Sequence, residues 1–435
     1  MDIRLKIVQL SQKILSKMNR GGSFPGHLGL IMDKNFIKKF KMPEIVILVT
    51  GTNGKTSTSN MIAEALRANG LTVINNKHGD NLNLGIATLL ATNADSNYNI
   101  KANAAVIEID ELTTYRQFKN LNPTHLVLTN FFRDQLDRAG EMESIIRKIE
   151  EVVKDFEGDL VFNGDDPNIV RIGDVAKKAK VHYYSVCPTS DSKKETDEAS
   201  EGKFCPRCNA SLIYDYYQYS HIGRFHCPND DFGNINKELY VESINDKSFI
   251  VDNKEFHPRL SATFNIYNCA AVLLVLKTLN LDLSKADKVF SDFEVKDGRN
   301  EVFYLSKDCT LNLIKNPTGA NEVMKFVLKD EKEKNVCIIL NDNEPDGTDI
   351  SWIWDAHFER LNVDSVNKIV CTGLRAYDMA LRLKYEGLEE KIVVIEDLKG
   401  AVNYLDEQNL ESHILSTYTA LLKVRSILAK EQKWI

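Results

Sequence analysis

Ile45-Val46-Ile47-Leu48-Val49-Thr50 runs without a break into Gly51-Thr52-Asn53-Gly54-Lys55-Thr56-Ser57. Apolar and β-branched residues bounded by glycine read as a buried strand, and the pattern over 56–69, closed by Gly70, reads as a helix. Strand, glycine turn and helix N-terminus in that order make a phosphate cradle, because backbone N–H groups converge there and the helix dipole favours an anion. Lys55 would neutralise the β- and γ-phosphates of a nucleotide, and the Thr56 hydroxyl would bind Mg²⁺. Gly51, Thr52, Asn53, Gly54 and Ser57 would complete the lining. The usual lysine loop has another glycine where Val49 stands, so this is a shortened variant.

Outward from the loop, apolar runs alternate with helical patterns. Strands are expected at 71–75, 104–109, 125–129 and 159–163, with a helix over 140–156. That alternation implies an α/β fold with a mainly parallel, doubly wound sheet. Continuity breaks near Val186: 189–202 is polar and aperiodic, and an aromatic, cysteine-bearing module follows, read as an insertion over 187–249. A helix over 265–279 closes this part. A second, smaller α/β unit opens near Leu311, with strands expected at 336–340, 368–372 and 391–395 and a last helix over 418–431. The expected division is a helical segment at 1–42, a central ATP-binding domain at 43–300 and a C-terminal α/β domain at 301–435.

A chain of 435 residues suits two or three domains. Its formal net charge of -7, with no concentrated basic face, argues against nucleic acid as the main partner. Ile3, Leu5, Ile7, Val8, Leu10, Ile14 and Leu15 fit an amphipathic helix rather than a signal peptide, and no apolar run reaches membrane-spanning length. Three of the eight cysteines cluster at metal-like spacing and most others sit in apolar surroundings, a reduced pattern. A soluble, cytoplasmic protein is expected.

Glu108, at the carboxyl end of a strand beside the loop, can hold a hard cation through oxygen. The loop itself, Val-Thr-Gly-Thr-Asn-Gly-Lys-Thr at 49–56, resembles that of the Mur ligases and folylpolyglutamate synthetases. Four further fragments agree in order: Val-Ile-Glu-Ile-Asp-Glu around Glu108, the segment from Thr129 to Asp137, Asn163-Gly164-Asp165-Asp166-Pro167, and Phe264-Asn265-Ile266-Tyr267-Asn268. Gly298-Arg299-Asn300-Glu301 follows at the domain junction. The resemblance implies an ATPase domain in which Glu108 helps hold Mg²⁺, Asn268 contacts adenine and Arg299 the phosphates. Asp166-Pro167 resembles a turn that opens a helix. Amino-acid-adding relatives carry a histidine where this chain has Gln135, and the carbamylated lysine of those enzymes has no placed counterpart, which leaves a second metal site open.

In the C-terminal half, Leu313-Ile314-Lys315-Asn316-Pro317-Thr318-Gly319, Leu340-Asn341-Asp342-Asn343 and Ser351-Trp352-Ile353-Trp354-Asp355 resemble the MurT-type subunits of lipid II isoglutaminyl synthases. The resemblance implies ATP-dependent amidation of the D-glutamate α-carboxylate of the lipid II stem peptide through an acyl phosphate, at the inner face of the membrane. Ammonia would come from a GatD-type class I glutaminase partner, and Asp355 would reach across the interface to orient that partner's catalytic histidine. Two other readings stay open: a stand-alone ligase joining an amino acid to a carboxylate, and a non-catalytic nucleotide-binding scaffold.

Cys205-Pro206-Arg207-Cys208 and Cys227-Pro228-Asn229-Asp230 resemble the knuckles of a zinc ribbon, with Asp230 where a fourth cysteine is usual. Zinc accepts carboxylate oxygen, so Cys205, Cys208, Cys227 and Asp230 are the expected ligands of a structural zinc site, held more weakly than by four cysteines. His221 and His226 are alternative fourth ligands. A ribbon without metal, held by Tyr214, Tyr216, Tyr217, Tyr219 and Phe225, is the other possibility.

Overall fold

Strand β1 (Ile45–Thr50) is buried because its alternate side chains feed two different cores. Val46 and Leu48 join a cluster on one face, and Ile47 and Val49 join a second cluster on the other. A strand covered on both faces needs the uninterrupted apolar run seen in its sequence.

A computed structural model describes residues 2–16, 22–77, 79–132, 142–196, 202–293 and 300–432. The described residues up to Phe293 form one compact unit, and those from 300 onward form another.

In the first unit, β1 is joined by β2 (Val73–Asn75), β3 (Ala104–Glu108), β4 (His125–Leu128), β5 (Asp159–Asn163) and β6 (Lys180–Val186). A hairpin follows, β7 (Ile213–Tyr219) and β8 (Ile222–His226), and then β9 (Lys237–Ile244), β10 (Phe249–Val251) and β11 (Lys254–Phe256). The main sheet runs β11-β10-β9-β6-β5-β4-β1-β3-β2, parallel from β2 to β9 and antiparallel at the β9–β10–β11 edge. The helix Lys55–Ala68 after β1 packs in one core, while the helices Glu111–Leu121 and Met142–Val153 after β3 and β4 pack in the other. Connections therefore leave β1 and its two neighbours on opposite faces, which opens a crevice at their carboxyl ends.

The expected strands and helices appear within a few residues of their sequence positions. The insertion differs. Lys237–Ile244, placed inside the 187–249 module by sequence, is a strand of the main sheet, paired with β6 and burying Leu239 and Val241. Glu238 and Glu242 interrupt its apolar character, as suits a strand near a sheet edge.

The second unit holds β12 (Glu301–Tyr304), β13 (Asp308–Leu313), β14 (Lys334–Ile339), β15 (Val366–Thr372), β16 (Ile392–Val394) and β17 (Glu411–Ser416). They form one sheet in the order β12-β13-β17-β14-β15-β16, parallel except for β12. No helix among the described residues is long and apolar enough to cross a membrane.

Candidate functional site

Gly54 opens the helix Lys55–Ala68 with φ +84° and offers no side-chain cap, so a ligand can take the first-turn N–H groups. A Cβ at Gly54 would lie 2.4 Å from Asn268 Oδ1, which also accepts from the Thr58 hydroxyl at 3.2 Å. Asn268, expected from resemblance at the adenine, thus has its carboxamide against the phosphate loop in this structure.

The chain after β4 fixes the loop from beneath. Asn130 clasps Asn53 twice, its Oδ1 accepting from Asn53 N at 2.8 Å and its Nδ2 donating to Asn53 O at 3.0 Å. The Thr129 hydroxyl donates to the same carbonyl at 2.8 Å. Thr52 exchanges hydrogen bonds with the backbone of Phe132, accepting at 3.0 Å and donating at 3.2 Å. A loop so tied is pre-organised, and ligand binding spends little on ordering it.

Lys55 is almost buried, its ammonium on the Gly51 carbonyl, 3.4 Å from Thr52 O and 3.1 Å from Glu111 Oε1. Glu111 has no expected role from sequence. It opens the helix after β3, directly past the N-cap Asp110, whose carboxylate accepts from Leu112 N and Thr113 N.

Glu108 ends β3 in register with Val49 and is 2% exposed. Asn76 grips its backbone on both sides, accepting from Glu108 N at 2.8 Å and donating to Glu108 O at 2.7 Å. Oε1 accepts from Asn81 at 3.0 Å, but Oε2 is buried without a hydrogen-bond partner among the described residues. An orphaned buried carboxylate oxygen is costly unless a cation meets it. A Cβ built on Gly79, whose φ is +77°, would lie 3.4 Å from that oxygen and 3.6 Å from Thr56 Oγ1. Hydroxyl and carboxylate thus face the same small gap, and the residues present fit a magnesium ion there. Ser57 is buried one residue further along the helix. Arg299 and the segment containing Asp134 and Gln135 lie outside the described residues.

Asp166 is the N-cap of the helix Pro167–Val175, accepting from Asn168 N, with Pro167 in the first turn, so the predicted turn and helix start are present. Its other oxygen accepts from Phe131 N at 2.8 Å. The β7–β8 hairpin inserts its turn at this point: His221 is fully buried, 4.9 Å from the Phe132 ring and 3.4 Å from Asp166 Oδ1. The hairpin therefore touches the segment that holds Thr52.

Beyond the hairpin's other end, the ligand atoms of Cys205, Cys208, Cys227 and Asp230 all lie within 4.8 Å of one another. Arg207 N and Asn229 N each donate to the sulfur two residues earlier, at 3.4 Å in both knuckles. Burial pushes the Cys205 thiol up to about 12, and the N–H of Phe232 lowers the Asp230 carboxyl. Neither His221 nor His226 belongs to the group. Three sulfurs and one carboxylate oxygen at this separation fit a tetrahedral metal ion such as zinc.

In the second unit, Asp355 follows a short 3-10 turn, Ser351–Trp354, and its N–H donates to Trp352 O at 3.1 Å. Buried Arg382 donates to the carbonyls of Ile353 and Ala356 at 3.0 and 3.1 Å, which fixes the backbone on both sides of Asp355. Sequence reasoning missed this arginine. Its guanidinium carbon also lies 5.3 Å from the centre of the Trp354 ring, which meets Tyr385 edge to face. Trp354, Leu374, Tyr377, Leu381 and Tyr385 are exposed, the last three spaced four apart along and just past the helix Ala376–Lys384.

Residues 49–276 match the model of the Mur ligase middle domain, and residues 313–421 match that of the MurT ligase C-terminal region. The MurT subunit of the glutamine-hydrolysing lipid II isoglutaminyl synthase of Staphylococcus aureus (strain COL) is 32% identical over 422 residues, 96% of this chain and 94% of that protein. Its counterpart in Streptococcus pneumoniae is 31% identical over 434 residues, 97% of this chain and 95% of that one. Among solved structures, a type C pseudomurein peptide ligase from Methanothermus fervidus shares the fold, with a TM-score of 0.72 at 21% identity over 91% of this chain and 81% of that one. Two family models in the expected order and relatives aligned end to end leave one assignment: the chain belongs to the MurT family of Mur ligase-type proteins.

Proposed function

We propose that this chain is the ATP-using subunit of a glutamine-dependent amidotransferase, converting the D-glutamate α-carboxylate of the lipid II stem peptide to its carboxamide. The observation that carries the reading is the gap at Gly79, where the Thr56 hydroxyl and the unpartnered Oε2 of Glu108 meet beside the phosphate loop. A carboxylate resists nucleophiles because its charge repels them and oxide is a poor leaving group. Transfer of the γ-phosphoryl group to a carboxylate oxygen, with ADP leaving, makes an acyl phosphate. Ammonia nitrogen then bonds to the carbonyl carbon, phosphate departs with the C–O electron pair, and the surplus proton is lost. Such a transfer needs positioning and charge neutralisation more than covalent help. Lys55 and the first-turn N–H groups would hold the phosphates. Mg²⁺ on Thr56 and Glu108 would supply the remaining positive charge, and zinc on the four-ligand group would be structural.

Ammonia is mostly ammonium at neutral pH, so local release favours the reaction. The family implies a GatD-type class I glutaminase as the source. Cys337 and Cys371, inside β14 and β15, are buried thiols, and burial pushes Cys371 up to about 12, which makes it a poor nucleophile. In this reading the glutaminase is a separate chain. The exposed aromatic group around Trp354 is a suitable seat for it, and Asp355 would orient its catalytic histidine.

The test is amidation by the purified chain with its glutaminase, ATP, Mg²⁺ and lipid II. Glutamine should drive amide formation in the complex, whereas the chain alone should use only ammonium. Asp355→Asn should lose the glutamine-driven reaction and keep the ammonium-driven one. Ligation of an amino acid instead of ammonia would contradict the proposal.

A further inference from the structure

The helix Ile3–Ser16 has two apolar faces, and among the described residues only one is covered. Leu5 and Val8 are 1% and 0% exposed and belong to the first unit's core. Gln9 Nε2 donates to the carbonyls of Ala91 and Ala94 at 2.9 Å, and Arg4 pairs with Asp33 at 2.9 Å. The helix is thus fixed to the unit in one orientation.

Its outer face carries Ile3, Ile7, Leu10 and Ile14, which are 71%, 42%, 60% and 54% exposed. Spacings of four, three and four place them in one stripe along the helix. The helix packed beside it, Phe24–Met32, also carries exposed apolar residues, Phe24 and Ile31, 54% and 67% exposed. Scattered apolar residues on a surface need no explanation, but a continuous stripe on a rigidly held helix does.

Charge selects the occupant. The helix itself bears no acidic residue; Arg4 is paired with Asp2, just before it, and with Asp33, which leaves Lys6 and Lys13 as its solvent-facing cations in a chain of net charge -7. Exposed Lys6 and Lys13 lie one turn or less from the stripe. Apolar side chains edged by lysines match the boundary between the headgroups and acyl chains of an anionic leaflet, where the apolar atoms leave water and the ammonium groups meet lipid phosphates.

We infer that this stripe docks the first unit on an anionic membrane surface, lying in the interface without crossing it. The inference rests on the reading that the substrate is lipid-linked, since docking would keep the nucleotide site next to a substrate confined to the bilayer.

The test uses the full chain with its glutaminase and vesicles of phosphatidylglycerol mixed with phosphatidylcholine, against phosphatidylcholine alone. The wild-type complex should sediment with the mixed vesicles and not with the neutral ones. Ile7→Glu combined with Leu10→Glu, both solvent-facing, should leave the melting temperature unchanged and weaken partitioning by at least about tenfold. The same variant should amidate a water-soluble substrate lacking the lipid tail at the wild-type rate and lose activity on lipid II in vesicles. Absence of wild-type sedimentation, equal binding to both vesicle types, or a variant that binds normally but converts a dimer to monomers would overturn the inference. Normal vesicle binding with amidation of neither substrate would uphold the docking surface and sink the functional reading beneath it.

Discussion

The ammonium of Lys55 lies 3.1 Å from Oε1 of Glu111, and both side chains are largely withdrawn from water. A carboxylate therefore stands in the wall of the proposed phosphate site. Exchanging Glu111 for glutamine removes that charge with little change of shape and frees Lys55 for phosphate. ADP should bind Glu111→Gln roughly three- to tenfold more tightly in a calorimetric titration. Weaker binding would mean that Glu111 serves the nucleotide directly.

Gly54 has no room for a methyl group. Its φ of +84° disfavours any side chain, and a Cβ would press on the Asn268 carboxamide at 2.4 Å. Gly54→Ala should raise the Kd of a fluorescent nucleotide at least about tenfold and lower the melting temperature only slightly, since the strain of a forced left-handed residue is about 1–2 kcal/mol and falls on the loop. Unchanged affinity would show that the loop does not use this backbone conformation.

At the cysteine group, Asp230 would be the hard donor in an otherwise soft set around the proposed zinc ion. Asp230→Cys replaces an oxygen donor by a thiolate and should slow zinc loss to a chelator by about tenfold or more, measured as metal content after dialysis. Wild-type and variant protein losing zinc equally fast would exclude residue 230 from the coordination.

Acid should expose a buried histidine in the second unit. Burial, reinforced by the ammonium of Lys334, lowers His413 from the ordinary 6.5 to about 4. Between those values the unfolded chain takes up a proton that the folded chain refuses. The stability contribution is therefore complete above 6.5 and falls as pH drops towards 4, by on the order of 3 kcal/mol in total. His413→Gln should flatten the acid side of the stability curve in urea melts of the second unit's transition. Parallel curves for variant and wild type would contradict it.

The nucleotide loop is legible in the sequence because strand, glycines, lysine and helix are contiguous, and each signal is local. Glu108 is legible for the same reason, at the end of an apolar run. Glu111, Asn76 and Arg382 are not, because their importance comes from contacts that only the fold creates. Arg382 grips carbonyls at 353 and 356 from another element, and nothing about an arginine in a helix announces that. The strand Lys237–Ile244 escapes notice because its glutamates break the apolar run that marked the interior strands. The metal-like cysteines are legible by spacing, whereas the link from their hairpin through His221 to Phe132 is not.

The most direct measurement follows oxygen. With the acceptor carboxylate of lipid II labelled with ¹⁸O, turnover with ATP and a nitrogen donor should deliver one labelled oxygen to each phosphate released, read by mass spectrometry or the ³¹P isotope shift. That result requires a bond between the substrate's carboxylate and the γ-phosphorus, the step proposed for the loop, Lys55 and the Thr56–Glu108 gap. Amide formation accompanied by unlabelled phosphate would contradict the account.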